Sequence, residues 1–323
     1  MEKRRLGNSD MMITRVGLGA WAIGGSWRWG WGEQDDGDSI GAIRRAIDLG
    51  VNWIDTAAVY GLGHSEEVVG RALKDVLDCD MPYIFTKCGL CWDEKSGKSR
   101  EAFACLKAES VRREAEASLR RLGVEAIDLY QIHWPNPNAG IEEAWGEMVK
   151  LKEEGKVRWI GVSNHSVPQM ERLSKIAPVT SQQPPYNIIN RSAEPDILPY
   201  CQRNNIGVIV YSPMASGLLT GKMTRERIAS LPAGDWRKND SNYTGAKLTE
   251  NLKVVEAIKS VADKKGVPAA QVAIAWTLRH PAVTAAIVGM RKPSQAEKTV
   301  GAAGLALTDE DIAEIERIAL SSN

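Results

Sequence analysis

Val51-Asn52-Trp53-Ile54-Asp55-Thr56-Ala57-Ala58-Val59-Tyr60-Gly61 is the stretch whose reading decides the fold. It opens with a short, mostly apolar run that ends in a carboxylate. Tyr83-Ile84-Phe85-Thr86 repeats the pattern before Lys87, and Leu129-Tyr130-Gln131-Ile132 repeats it before His133. Runs of this length read as buried strands. One polar residue at the end of each successive strand is how a parallel barrel gathers a site from distant sequence.

Working outward, the same alternation continues to both ends. A turn-rich Gly7-Asn8-Ser9-Asp10 predicts a hairpin over 5–13. Strands follow at 16–18, 51–55, 83–87, 127–132, 157–162, 179–183, 207–211 and 284–288. Helical stretches fall between them, near 38–49, from Ser65, and at 107–122, 141–154, 167–176 and 195–204. Others lie near 249–265, 268–279, 293–303 and 308–320. Asp38 and Ser65 are the expected helix caps. The expectation is an α/β fold: a TIM (β/α)8 barrel with an N-terminal β-hairpin and extra C-terminal helices, one domain over 1–323. An open doubly wound sheet would need G-x-G-x-x-G directly after its first strand. Gly17, Gly19, Gly24 and Gly25 do not make that spacing.

Bulk properties narrow the function. The chain has 323 residues, 43% of them hydrophobic, with formal net charge zero. No basic field favours nucleic acid, and no apolar run reaches the roughly 18 residues of a membrane span. Met1-Glu2-Lys3-Arg4-Arg5 is not backed by an apolar region, so a cytoplasmic location is expected. Cys88 and Cys91 form a C-x-x-C without a second pair, which points to reduced thiols and to no metal.

Asp55, Tyr60, Lys87 and His133 together describe one chemistry. A phenol is a poor acid at its ordinary pKa of about 10. A neighbouring ammonium favours the phenolate. Lys87 can supply that ammonium, and Asp55 can keep it charged. Tyr60 then becomes a proton donor near neutral pH, with a neutral His133 hydrogen-bonding the substrate oxygen. The set suits protonation of an alkoxide forming on a carbonyl carbon. It suits acyl transfer poorly, because no Ser or Cys sits beside the base. Taken singly, each residue also has a structural reading: a turn cap, a half-buried aromatic, a solvated strand end, a structural histidine.

Several segments resemble the aldo-keto reductases. They are Gly17-Leu18-Gly19-Ala20-Trp21, Asp55-Thr56-Ala57-Ala58-Val59-Tyr60-Gly61, Thr86-Lys87, Gln131-Ile132-His133-Trp134, Gly161-Val162-Ser163-Asn164, Gln182-Gln183-Pro184-Pro185-Tyr186-Asn187 and Tyr211-Ser212-Pro213-Met214-Ala215. The similarity runs in order from about residue 4 to 318. It implies the same barrel, reduction of aldehydes or ketones, NADPH in extended form, and Tyr60 as general acid supported by Lys87, Asp55 and His133. It also implies that Ser163, Asn164 and Gln183 hold the nicotinamide carboxamide and that Tyr211 stacks on the ring. Ala20, Trp21 and Asp55 join that cofactor set.

The stretch Ser212, Pro213, Met214, Ala215 to Lys222 is expected along the pyrophosphate, with Gly217 allowing close backbone approach. The long loop 223–248 reads as a belt over the cofactor, with Arg237 as a phosphate contact. Gly289, Arg291, Gln295 and Lys298 lie at the start of a helix, and the fork of Arg291 suits a 2′-phosphate. That favours NADP over NAD. Relatives often carry Glu-Asn where this chain has Lys298-Thr299, so NADH is kept as a secondary cofactor.

Of the eleven tryptophans, Trp21, Trp31, Trp92 and Trp134 are expected to wall the substrate site beside Tyr60 and His133. For Trp27 and Trp29, loop packing is an equal reading. Such a wall favours apolar or cyclic carbonyl compounds. The expected partner is that small molecule, with no nucleic acid and no membrane. The alternative is a redox-sensing regulatory subunit of the same fold.

Overall fold

The computed structural model describes residues 1–27, 29–93, 101–232 and 234–320. Arg28 of the Trp-rich loop and Ala233 of the belt lie outside the described residues. Strands β1 (Lys3–Arg5) and β2 (Met12–Thr14) form the expected antiparallel hairpin. The strands that follow are β3 (Val16–Gly19), β4 (Trp53–Asp55), β5 (Tyr83–Cys88), β6 (Leu90–Cys91), β7 (Phe103–Ala104) and β8 (Ile127–Ile132). Then come β9 (Val157–Ser163), β10 (Ser181–Gln183), β11 (Gly207–Val210) and β12 (Val283–Gly289). Among the described residues, β3, β4, β5, β8, β9, β10, β11 and β12 close into a parallel barrel in that order, and β12 pairs back onto β3. This is the TIM barrel. β6 and β7 form a small separate hairpin.

The helices are α1 (Asp36–Asp48), α2 (His64–Leu73), α3 (Ala108–Leu122), α4 (Ile141–Glu153), α5 (Val167–Ser174) and α6 (Ile197–Arg203). They continue with α7 (Arg225–Ala229), α8 (Gly245–Lys265), α9 (Ala269–Leu278), α10 (Pro293–Thr299) and α11 (Asp309–Leu320). Two caps differ from expectation. Asp35, not Asp38, caps α1, accepting from the Asp38 N–H. Helix α2 starts one residue before Ser65, after Gly63 at φ 102°. The Ser65 hydroxyl instead donates to the Ala20 carbonyl at 2.8 Å, which ties α2 to the barrel rim.

The barrel interior is filled from its N-terminal end. Leu6, Met11 and Ile13 of the hairpin pack against Trp53, Phe85, Leu129, Ile209 and Ala285. Side chains alternate along a strand. So two residues beyond each of these plugs, the next inward position lies at the opposite rim: Asp55 after Trp53, Lys87 after Phe85, Gln131 after Leu129, Tyr211 after Ile209. The strand-end residues converge because the apolar plug beneath them sets their register. Gly17 makes room for that plug: a Cβ there would lie 2.1 Å from the Trp53 indole. A larger apolar core fills the space between strands and helices. Among the described residues, no helix is long and apolar enough to cross a membrane.

Candidate active site

Lys87 is the centre of the rim. Its side chain is fully buried, and Asp55 beside it is nearly so. The ammonium donates to Asp55 Oδ1 at 2.5 Å, to the Thr56 carbonyl at 2.8 Å and to the Tyr60 hydroxyl at 3.4 Å. Burial pulls the Lys87 pKa down, and the Asp55 carboxylate opposes that pull most strongly. The other Asp55 oxygen accepts from Gln183 Nε2 at 2.8 Å and from Gln131 Nε2 at 3.3 Å. Two amides and an ammonium therefore satisfy a carboxylate that would otherwise be costly to bury. Behind Lys87, buried Glu66 accepts from Thr86 Oγ1 at 2.6 Å and from Arg121 Nε at 2.7 Å.

Tyr60 and His133 cover this pair from above, their rings edge-on with centroids 5.7 Å apart. Burial pushes the Tyr60 phenol well above its ordinary pKa, and the Asp55 charge adds to the effect. This corrects the expectation that Lys87 would bring the phenol down. Lys87 spends its charge on Asp55, and the loss of water around the phenol outweighs a contact at 3.4 Å. Tyr60 is held firmly protonated. Burial and the Lys87 charge push His133 well below its usual range, so its imidazole is neutral as expected. The loop bearing Tyr60 is fixed by backbone contact: a Cβ on Gly61 would lie 2.2 Å from the Gly24 carbonyl oxygen.

A cavity of about 680 Å³ opens over these groups. Of the expected residues, Trp21, Trp31, Asp55, Tyr60, His133, Trp134, Ser163, Asn164, Gln183, Tyr211, Ser212, Pro213, Met214, Gly217, Gly289, Arg291 and Gln295 line it. Trp27 and Trp29 also line it and pack edge-on against each other, with ring centroids 5.6 Å apart, which suits both of their readings. Ser216 and Thr220 line it from within the expected 212–222 stretch, and Trp236, Leu90 and Ile287 line it without having been expected as site residues. Trp236 stood beside Arg237 in the belt, and its aromatic type was the available signal.

Other expected site residues stand outside the cavity lining. Arg237 is buried and donates to both Asp235 oxygens, at 2.9 and 2.6 Å, while its guanidinium lies 4.7 Å over the Trp31 ring. Its charge is already matched, and it serves as a strut between the two loops. Lys222 and Lys298 are exposed and line no part of the cavity. Ala20 and Ala215 stand outside the lining as well. Trp92 sits against Arg121, 5.7 Å from ring centroid to guanidinium, and is not part of the wall. Cys88 and Cys91 are free thiols, and burial pushes Cys91 up to about 12, far from a reactive thiolate.

The polar rim opposite Tyr60 is internally connected. Tyr211 donates to Asn164 Oδ1 at 3.0 Å, and Asn164 Nδ2 donates to the His133 carbonyl and to Ser163 Oγ, each at 3.0 Å. The Ser163 hydroxyl donates to the Gln183 carbonyl at 2.9 Å. From Ser212 onward the backbone enters the left-handed region at Ser212 (φ 55°), Ala215 (φ 45°), Ser216 (φ 50°) and Gly217 (φ 96°). Strain of this kind collects at ligand-holding segments.

The comparisons agree with this geometry. The family model described as the Aldo/keto reductase family matches residues 15–320. The aldo-keto reductase YhdN of Bacillus subtilis is 38% identical over 319 residues, spanning 98% of this chain and 93% of its own. A protein of Escherichia coli named NADH-specific methylglyoxal reductase is 34% identical, spanning 96% of each. Among solved structures, a glycerol dehydrogenase from Gluconobacter oxydans superposes with a TM-score of 0.89 at 40% identity, covering 99% of this chain and 96% of that one. With a Lys–Asp pair under a tyrosine and a histidine at the rim of a closed eight-stranded barrel, and relatives matched along nearly all of their length, the chain belongs to the aldo-keto reductase family of oxidoreductases.

Proposed function

We propose that the protein reduces aldehydes and ketones to alcohols, with NADPH as the preferred hydride source. The observation that carries this reading is the buried Lys87–Asp55 pair beneath Tyr60 and a neutral His133, with Asp55, Tyr60 and His133 lining one tryptophan-walled cavity. The residues present suit the nucleotide. Ser163, Asn164 and Gln183 would meet the carboxamide, Tyr211 the nicotinamide ring, the strained 212–217 segment the pyrophosphate, and Arg291 the 2′-phosphate. When bound, the nucleotide supplies the hydride that no side chain can provide.

The side chains handle the proton. His133, neutral and half-buried, donates a hydrogen bond to the carbonyl oxygen and polarises it. As negative charge grows on that oxygen, Tyr60 Oη–H gives up its proton. A phenol of raised pKa still suffices, because an alkoxide is far more basic than a phenolate. The ammonium of Lys87 stabilises the phenolate left behind, and Asp55 keeps that ammonium charged. The indole wall keeps water from the reacting carbon.

NADH is the secondary donor on this reading, in keeping with Lys298-Thr299 and with the name of the Escherichia coli relative. The test is consumption of NADPH and of NADH across a panel of aldehydes and ketones. Oxidation of NADPH with apolar or cyclic carbonyl compounds is expected. No consumption of either nucleotide with any member would overturn the proposal.

A further inference from the structure

Arg291 lines the cavity, yet none of its hydrogen bonds among the described residues goes to a carboxylate. Its Nε donates to Gln34 Oε1 at 2.5 Å, and one Nη donates to the Glu33 carbonyl at 3.1 Å. Gln34 answers with its amide nitrogen, which donates to the Arg291 carbonyl and to Ser39 Oγ, each at 3.0 Å. One side chain thus grips both the guanidinium and the backbone of Arg291, and is itself anchored on helix α1.

A guanidinium has five N–H donors. The contacts above occupy the Nε hydrogen and one Nη hydrogen. The Nη1–Nη2 edge keeps the paired donors that match a phosphate. The chemistry of the clamp matters as much as its shape. A carboxylate at position 34 could accept the same Nε hydrogen, but it would cancel the charge. An amide fixes the fork and leaves the charge whole. The nearby acid, Asp38, is engaged by Lys292 at 2.9 Å. Burial and the Arg237 charge act against the Arg291 cation and outweigh the support of the Asp38 charge, so an arriving anion relieves a standing cost.

We propose that Gln34 is a positioning residue for nucleotide choice. It aims the Arg291 fork at the 2′-phosphate that separates NADPH from NADH, without neutralising it. The inference rests on the NADPH reading above. It also links two ends of the site. Gln34 belongs to the same loop as Trp27, Trp29 and Trp31, so the segment that walls the substrate cavity is pinned at the residue meant to read the phosphate.

Equilibrium titration of NADPH and of NADH, followed by tryptophan fluorescence, tests this without turnover. Wild type should bind NADPH more tightly than NADH. Gln34→Ala should weaken NADPH about tenfold while changing NADH less than about twofold. Gln34→Glu keeps an acceptor but adds a charge, so it should weaken NADPH further and spare NADH. A wild type without NADPH preference overturns the cofactor reading and this inference with it. A wild type that prefers NADPH, with Gln34→Ala losing both nucleotides equally or losing neither, overturns the Gln34 role alone.

Discussion

Asp55 carries the electrostatics of the site more than its neighbours do. It is the counter-ion of a fully buried ammonium and the acceptor for two buried amides. Removing one member of such a pair leaves an uncompensated charge, at a cost of about 3–5 kcal/mol. Asp55→Asn should lower the unfolding free energy by that order in urea titration at neutral pH. A loss under about 1 kcal/mol would mean that Lys87 finds another partner or sheds its proton cheaply. His165 gives a second reading at this scale. Its Nδ1 meets the Ser163 carbonyl at 2.8 Å, its Nε2 is buried without a partner among the described residues, and burial lowers its pKa to about 4. In the unfolded chain a histidine takes its proton near 6.5. Between those values the unfolded state binds a proton that the folded state refuses. Stability contributed by His165 is therefore present above about pH 6.5 and is lost as the pH falls towards about 4, by up to about 3 kcal/mol. His165→Phe should flatten the fall in unfolding free energy between pH 7 and pH 4.5. An unchanged slope would assign that fall to other groups.

At the scale of elements, strand β3 and the hairpin under it decide where the rim residues sit. Gly17 lies against the face of the Trp53 indole, and a methyl group there has nowhere to go. Gly17→Ala should cost at least the upper end of the roughly 1–3 kcal/mol range for overpacking. It should also reduce turnover, because Trp53 lies two residues before Asp55. Measured unfolding free energy and kcat should fall together, and a stable variant with full kcat would break the claimed link between plug and rim. The loops behave differently from the strands. The segment between β3 and α1 meets the 223–248 belt through Trp21–Trp236, at 6.5 Å between ring centroids, and through Arg237 over Trp31. They line the cavity through Trp27, Trp29, Trp31 and Trp236, and neither has a periodicity that announces its course.

At the scale of the molecule, what was legible in the sequence followed from local pattern. Except for β10, whose Ser181-Gln182-Gln183 is polar, each barrel strand is a short, largely apolar run bounded by polar or glycine-rich residues, so the barrel could be counted, and its rim residues named, from local pattern. Helix starts were less legible, because they depend on the backbone angle of the preceding residue, as Gly63 shows for α2. Charges that pair nearby in space were misjudged in proportion to how hidden the partner is. Arg237 looked free because nothing in the chain states that Asp235 turns back onto it. The Tyr60 pKa went the wrong way because burial is a property of the closed barrel and not of the motif. The Gln34–Arg291 clamp joins residues 257 positions apart and leaves no local trace at all.

The proposed function divides the labour: the cavity would hold the nucleotide through one set of groups, and Tyr60 alone would deliver the proton. Tyr60→Phe removes a single oxygen and keeps the ring that packs against His133 and Trp27. The most direct measurement is therefore carbonyl reduction by this variant beside its NADPH dissociation constant. The account predicts a fall in kcat of about 100-fold or more, with NADPH binding within about twofold of wild type. Reduction at the wild-type rate would contradict it.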